Sequence, residues 1–258
     1  MTDNLSFLGS LSPEDKLLVD KITEMAETAS EKYINRFTFF LDEHQQNLCR
    51  KVLAAIGCKD FSLCGGYDGA VRKVLGISAP FSELDRDIFP FKAYTFTYRL
   101  TDSLTHRDFL GSLMALGIRR DTVGDILVSE GKAVVFVYDT VAPAVCDITK
   151  VGRVGVRVSE GFDPGDIPEQ KYIPIEGTVA SLRLDCVLSL ALRISREKAA
   201  ALIRKSGVDL NGEQICSTDA KLEEGCVFSV RGFGKFRVEQ IGAVTKKDRI
   251  HLCINKYA

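Results

Sequence analysis

The chain has no hydrophobic run long enough to cross a bilayer. Its longest apolar stretches, such as Ala133 to Tyr138, have the length of a strand, well short of the roughly 20 residues a membrane helix needs. No basic segment opens the chain: the first residues are acidic and polar, which argues against a secretory signal and for a soluble, cytoplasmic protein without a membrane partner. Paired cysteine motifs are missing too. The 8 cysteines (Cys49, Cys58, Cys64, Cys146, Cys186, Cys216, Cys226 and Cys253) are scattered, with no Cys-x-x-Cys and no histidine at ligand spacing. They read as reduced, buried thiols, Cys226 and Cys253 on strands, and no metal site is expected. Net charge is almost absent, -1 over 258 residues, which over the whole length argues against a nucleic-acid partner. Gly65, Gly66 and Gly69 crowd one loop, yet no Gly-Lys-Ser/Thr follows and the dinucleotide spacing is wrong. A tight turn is favoured there over a phosphate cradle, with Arg72 and Lys73 as secondary candidates for a backbone contact.

Split along the chain, the charge is uneven. Residues 181–258 hold 14 Lys+Arg against 9 Asp+Glu, a net of +5, and the remainder carries -6. A basic end on an acidic body is the pattern of a protein that meets nucleic acid through one part only. A length of 258 residues and an apolar content of 45% suit two or three domains, each with its own core. The pattern divides the chain into a helical N-terminal domain over 1–78, an α+β domain over 79–160, a Pro- and Gly-rich linker over 161–178, and a basic C-terminal domain over 179–258.

The basic end carries the sharpest signals. Leu184, Val187, Leu188 and Ala191 recur at helical spacing after Arg183. Ser195 caps a second helix with Glu197 in its first turn, and Gly207 stops it. Ala199, Leu202 and Ile203 form the apolar face of that helix, flanked by Arg196 and Arg204 on one side and Lys198 and Lys205 on the other. Asn211-Gly212 between two short apolar runs predicts a hairpin. Strands are expected over 226–231, 235–241 and 249–255, with Lys246-Lys247 in the last turn.

In order, Arg183-Leu184-Asp185, Ser195-Arg196, Asn211-Gly212 and Arg231-Gly232-x-Gly234-Lys235-Phe236 resemble the S4 RNA-binding domain. That resemblance implies two helices with a small β-sheet, and RNA contacts by Arg183, Ser195, Arg196, Lys198, Arg204, Lys205, Asn211, Gly212, Arg231 and Lys235. Lys246 and Lys247 join Arg72 and Lys73 as secondary candidates. Asp185 is read as a support for Arg183 or the helix start.

Towards the amino terminus, Ser12-Pro13-Glu14-Asp15 predicts a helix start, and Asp42 a second helix ended by Gly57. Residues from about 12 to 76 read as a helical domain, with the tight turn at its glycines. Tyr94, Phe96 and Tyr98 alternate on a strand over 91–100, and Asp102 or Thr105 caps a helix stopped by Gly117. Residues 125–128 and 133–137 form a hairpin. A helix over 139–148, interrupted early by Pro143, and a strand over 153–158 complete β-α-β-β-α-β, the ferredoxin-like or RRM-like layout. Val134 to Val137 read as buried, so base stacking on this sheet is not expected and the aromatics are assigned to the core. His106, Arg107 and Asp108 are adjacent on a helix, about 100° apart, and cannot converge as a triad.

His106-Arg107-Asp108-Phe109-Leu110-Gly111, with Gly65-Gly66-Tyr67 and the S4-like end, resembles the YlmH family of bacterial S4-domain proteins over nearly the whole chain. That resemblance implies a monomeric, non-catalytic protein without cofactor. It would bind ribosomal RNA and tRNA on a large ribosomal subunit holding stalled peptidyl-tRNA, in ribosome-associated quality control. Two other readings stand beside it. An RNA-modifying enzyme anchored by the S4 domain would need a pseudouridine-synthase Asp or a methyl-donor loop, which Gly152-Arg153-Val154-Gly155 matches poorly. A cell-division-linked adaptor would bind a protein through the acidic part.

Overall fold

The structure, a computed structural model, describes residues 11–168 and 171–257. They fall into two compact units, Met1–Pro168 and Glu169–Ala258. The described residues form a mixed α/β protein with six α-helices and several sheets, and none of these helices is long and apolar enough to cross a membrane.

The first unit begins with α1 (Pro13–Lys32), where the Ser12 hydroxyl accepts the Asp15 N–H at 3.1 Å. Its buried stripe is Val19, Ile22, Met25 and Ala29. Then come β1 (Arg36–Leu41), α2 (Glu43–Ala55), β2 (Phe61–Cys64) and β3 (Lys73–Ile77). Asp42 and Gln45 make a reciprocal capping box at the start of α2. The expectation of a helical domain over 12–76 is corrected here: the strands pair antiparallel in the order β1-β3-β2. The strands are short, and β3 is central and buried from Val74 to Ile77, so it lacks the in-out alternation that marks a half-exposed strand.

Downstream lie β4 (Phe91–Thr97), α3 (His106–Ala115), β5 (Val123–Ser129), β6 (Lys132–Tyr138), α4 (Ala142–Cys146), β7 (Lys150–Val151), β8 (Val154–Gly155) and β9 (Arg157–Glu160). The four longer strands form an antiparallel sheet of order β5-β6-β4-β9. Two expectations change. Pro143 lies in the first turn of α4, where its missing N–H leaves no helical bond unmade, so it starts a short helix instead of interrupting a long one. The strand expected over 153–158 is divided between β8, which pairs with β7, and β9.

Packing orders these elements into four layers. Helices α1 and α2 cover one face of the β1-β3-β2 sheet through Ile22, Val52, Leu53, Leu75 and Ile77. Helices α3 and α4 cover one face of the second sheet through Phe96, Phe109, Leu113, Val135 and Val145. Between the sheets, Phe40 and Val74 meet Val134 and Phe136, with Phe37, Tyr67 and Phe91 around them. Strand β6 is therefore buried on both faces, as expected from Val134 to Val137, and Tyr94 and Phe96 are core residues.

The second unit contains β10 (Tyr172–Val179), α5 (Leu184–Leu192), α6 (Arg196–Ser206), β11 (Val208–Leu210), β12 (Glu213–Ile215), β13 (Val227–Val230), β14 (Gly234–Val244) and β15 (Ile250–Tyr257). Its sheet has the order β10-β15-β14-β13-β11-β12. Residues 172–178, expected within a linker, pair with β15 along its whole length. Pro174 is accommodated because β10 is an edge strand, where a residue without an N–H leaves no ladder bond unmade. Residues 169 and 170 of that stretch lie outside the described residues. Leu184, Val187 and Leu188 of α5 and Ala199 and Ile203 of α6 pack against Val208, Phe228, Phe236 and Ile254 of the sheet. Asn211 and Gly212, with φ of 51° and 83°, form the two-residue turn between β11 and β12.

Candidate nucleic-acid interface

Arg183 precedes α5 in extended conformation, and Asp185 in the first turn is 4% exposed. Its two oxygens receive Arg183 Nε at 3.3 Å and Arg196 Nε at 2.8 Å. One buried carboxylate thus orients two cations from successive helices, and Asp185 is the support it was expected to be. Burial pushes the Asp185 carboxyl up, but the hydrogen bonds from Arg196 and Arg183 outweigh this and hold it below the ordinary 3.8. The sign follows: stability from this clamp is complete above the ordinary carboxyl value and is lost as pH falls through the lower, folded one. Asp185→Asn should lower the melting temperature at pH 7, and its difference from the wild type should shrink as the pH is taken below 3.8. Thermal unfolding at stepped pH measures this; a deficit equally large in acid would refute the clamp.

Helix α6 carries the other cations. The Ser195 hydroxyl is committed to the Lys198 N–H at 3.3 Å, and Ala199 and Ile203 are buried. At about 100° per residue, Arg196 and Arg204 lie to one side of the buried stripe and Lys198 and Lys205 to the other, and all four are exposed. They form two flanks of one helix, the first continuous with Arg183 through Asp185.

The remaining candidates are dispersed. Arg231 is exposed beside the β13–β14 turn, and Lys235 Nζ sits 5.4 Å from the Tyr257 ring centroid. Lys246 and Lys247 are exposed in the β14–β15 turn. The Asn211 Oδ1 accepts the Val227 N–H at 2.8 Å, and Gly212 N–H donates to Asp209 Oδ1 at 2.9 Å. This turn therefore ties the sheet together. Lys73 is half-buried at the start of β3.

In the first unit the Gly65–Arg72 loop is built around a group that sequence reasoning missed, Asp125 on β5. Its Oδ2 accepts the Tyr67 hydroxyl at 2.9 Å and the Val71 N–H at 2.7 Å, and its Oδ1 accepts the Arg72 N–H at 3.1 Å. Loop amides that might have cradled a phosphate hold a carboxylate of the protein itself, which fits the tight-turn reading. Arg72 donates to Val123 O at 3.1 Å and to Phe40 O at 2.9 Å. The only hint in the sequence was an aspartate beside Gly124, with nothing to link it to a loop over 50 residues away. At α3, Asp108 Oδ2 accepts the Thr105 N–H at 2.8 Å and its hydroxyl at 2.7 Å, the local helix-start bonding expected in place of a triad. Of the cysteines, Cys49 and Cys186 are buried, but Cys146 and Cys216 are exposed, so the uniform expectation of burial is corrected. Cys146 ends the five-residue α4 and Cys216 follows the three-residue β12, elements too short for period to mark an inner face.

Comparison with known proteins agrees with this layout. Residues 93–162 match a family described as "Putative RNA-binding domain in YlmH". A Bacillus subtilis (strain 168) protein named "Ribosome-associated protein quality control protein P2" is 32% identical over 244 residues, 92% of this chain and 93% of its own length. The solved structure titled "Cell division protein ylmH from Streptococcus pneumoniae" aligns with a TM-score of 0.53 at 24% identity, covering 62% of this chain and 98% of that one. That likeness concerns fold alone. With the sequence kinship extending over nearly all of both chains, this protein belongs to the YlmH family.

Proposed function

We propose that this protein is a non-catalytic RNA-binding protein that docks on the large ribosomal subunit and acts in ribosome-associated quality control of stalled peptidyl-tRNA. The reading takes the second unit as an S4 domain and the β4-to-β9 segment as a ferredoxin-like fold. The observation that carries it is the cation set of α5 and α6: Arg183 and Arg196 are pre-oriented by buried Asp185, with Lys198, Arg204 and Lys205 exposed beside them. Held guanidinium groups lose less freedom on meeting a phosphate, which favours fixed orientation on folded RNA. Arg231, Lys235, Lys246 and Lys247 supply the outer contacts. The name of the Bacillus subtilis relative supports the ribosomal setting. Base stacking on the central sheet has no part in the reading, because Phe40, Val74 and their neighbours cover the face opposite its helices.

Arg204→Glu with Lys205→Glu is the test, since both side chains are exposed in the last turn of α6 and their change spares the Asp185 clamp. The double variant should bind ribosomal RNA about 10- to 100-fold more weakly. Its log-log salt slope should fall by about 1.5, at 0.7–0.9 per phosphate contact. Cosedimentation with large subunits that is undiminished by the double change would count against the site.

A further inference from the structure

We infer that Arg72 and Arg120, where the β2–β3 loop meets the start of β5, seat a second RNA phosphate on the first unit. This rests on the RNA-binding reading above but uses different residues. Arg72 Nε and Arg120 Nη1 both donate to one oxygen, the carbonyl of Val123. Arg72 is further fixed by Phe40 O at 2.9 Å, and Arg120 reaches Gly124 O at 3.4 Å. Two guanidinium groups are therefore neighbours, both half-buried. Among the described residues no carboxylate lies within 4.0 Å of either. Asp42, Asp125 and Asp121 act on Arg72 from further off, and Asp125 on Arg120; the Asp125 oxygens are taken by Tyr67, Val71 and the Arg72 amide.

The contrast with the second unit is direct. There Arg183 and Arg196 converge on a carboxylate; here Arg72 and Arg120 converge on a neutral carbonyl. The Arg72 charge acts against that of Arg120, and like charges in a partly desolvated place repel more strongly than in water, a repulsion that an arriving anion relieves. The flat fork of arginine suits the oxygens of a phosphate. The place also fits the topology. Arg120 lies within the matched segment 93–162, whose sheet is covered on both faces by helices and by β1–β3, leaving its rim for contact with RNA. His106, exposed in the first turn of α3, feels Arg120 and Asp125. Burial and the Arg120 charge hold its pKa below the ordinary 6.5, so a bound phosphate should raise it.

Two measurements on the full chain test this. Arg120→Gln should weaken binding of a short RNA hairpin about 5- to 10-fold and reduce the log-log salt slope by about 0.7–0.9. In the wild type, the ring resonance of His106, one of 3 histidines, should shift on addition of that hairpin and titrate at higher pH. Should Arg120→Gln fail to fold, the wild-type His106 titration decides. A resonance unmoved by RNA, or an Arg120→Gln protein that is folded with unchanged affinity and slope, overturns the site. A response to inorganic phosphate but none to the hairpin overturns the RNA assignment in favour of a free phosphate. The His106 resonance reports on the first unit alone, so it distinguishes failure of this site from failure of the Arg204→Glu/Lys205→Glu test.

Discussion

Asp125→Ala is expected to destabilise the first unit by about 3–5 kcal/mol. The carboxylate accepts three hydrogen bonds from the 67–72 loop, at 2.9, 2.7 and 3.1 Å, and bonds to a charged acceptor contribute about 1.5–3 kcal/mol each before partial exposure reduces them. Alanine would leave the Tyr67 hydroxyl and two backbone amides without this acceptor. Tyr67 remains a donor throughout the physiological range, because burial and the neighbouring Asp125 charge push its phenol up. At about 2–4 °C per kcal/mol for a unit of this size, the melting temperature should fall by about 6–20 °C. Asp125→Asn, which keeps one acceptor oxygen, should fall between. Calorimetry of the two variants checks the order, and a loss of only a degree for alanine would exclude Asp125 as the organiser of the loop. A second consequence is electrostatic: Arg72 and Arg120 lose the nearby carboxylate, so any phosphate they hold should bind more tightly in whatever protein remains folded.

The other large effect is expected from Gly66→Ala, at about 3–4 kcal/mol. Gly66 has φ of 93°, a backbone state that an L side chain rarely enters. An added Cβ would stand 2.5 Å from Phe136 Cε1 and 3.1 Å from Phe91 Cε2. Neither ring can retreat easily, since Phe136 is 1% exposed between the two sheets and stacks with Tyr67 at 5.3 Å. Backbone strain and overpacking of about 1–3 kcal/mol therefore add at one position. Gly69→Ala shares the positive φ, 89°, but has nothing within 4 Å of its added Cβ, so it should lose only the strain. Chemical denaturation of the pair separates the two contributions. Equal losses would mean that the sheets do not close on the loop at Gly66.

The helices were legible in the chain because their signals are local. Ser12, Asp42 and Ser195 cap helices where their spacing to the apolar stripe predicts, since a cap bonds an amide two or three residues away. Asn211-Gly212 announced its hairpin because both residues accept positive φ. The Arg183–Asp185 support was legible for the same reason, lying within one turn. Strands β2 and β3 were not legible, and neither was β10, read as linker on account of its proline and glycine. A strand is defined by a partner elsewhere in the chain: the four residues of β2 are uniformly half-buried and four of the five in β3 are buried, so neither carries a period to reveal it.

What the amino-acid order determined by itself was the set of helices, the turns and the basic surface of α6, because each depends on neighbours in sequence. Tertiary structure alone decided that β1–β3 close over the central sheet and that Asp125, 58 residues from Tyr67, holds the glycine loop. It alone drew Arg72 and Arg120 to one carbonyl. Those are long-range events set by which buried faces fit one another, and no local pattern of residues encodes the partner across such a distance.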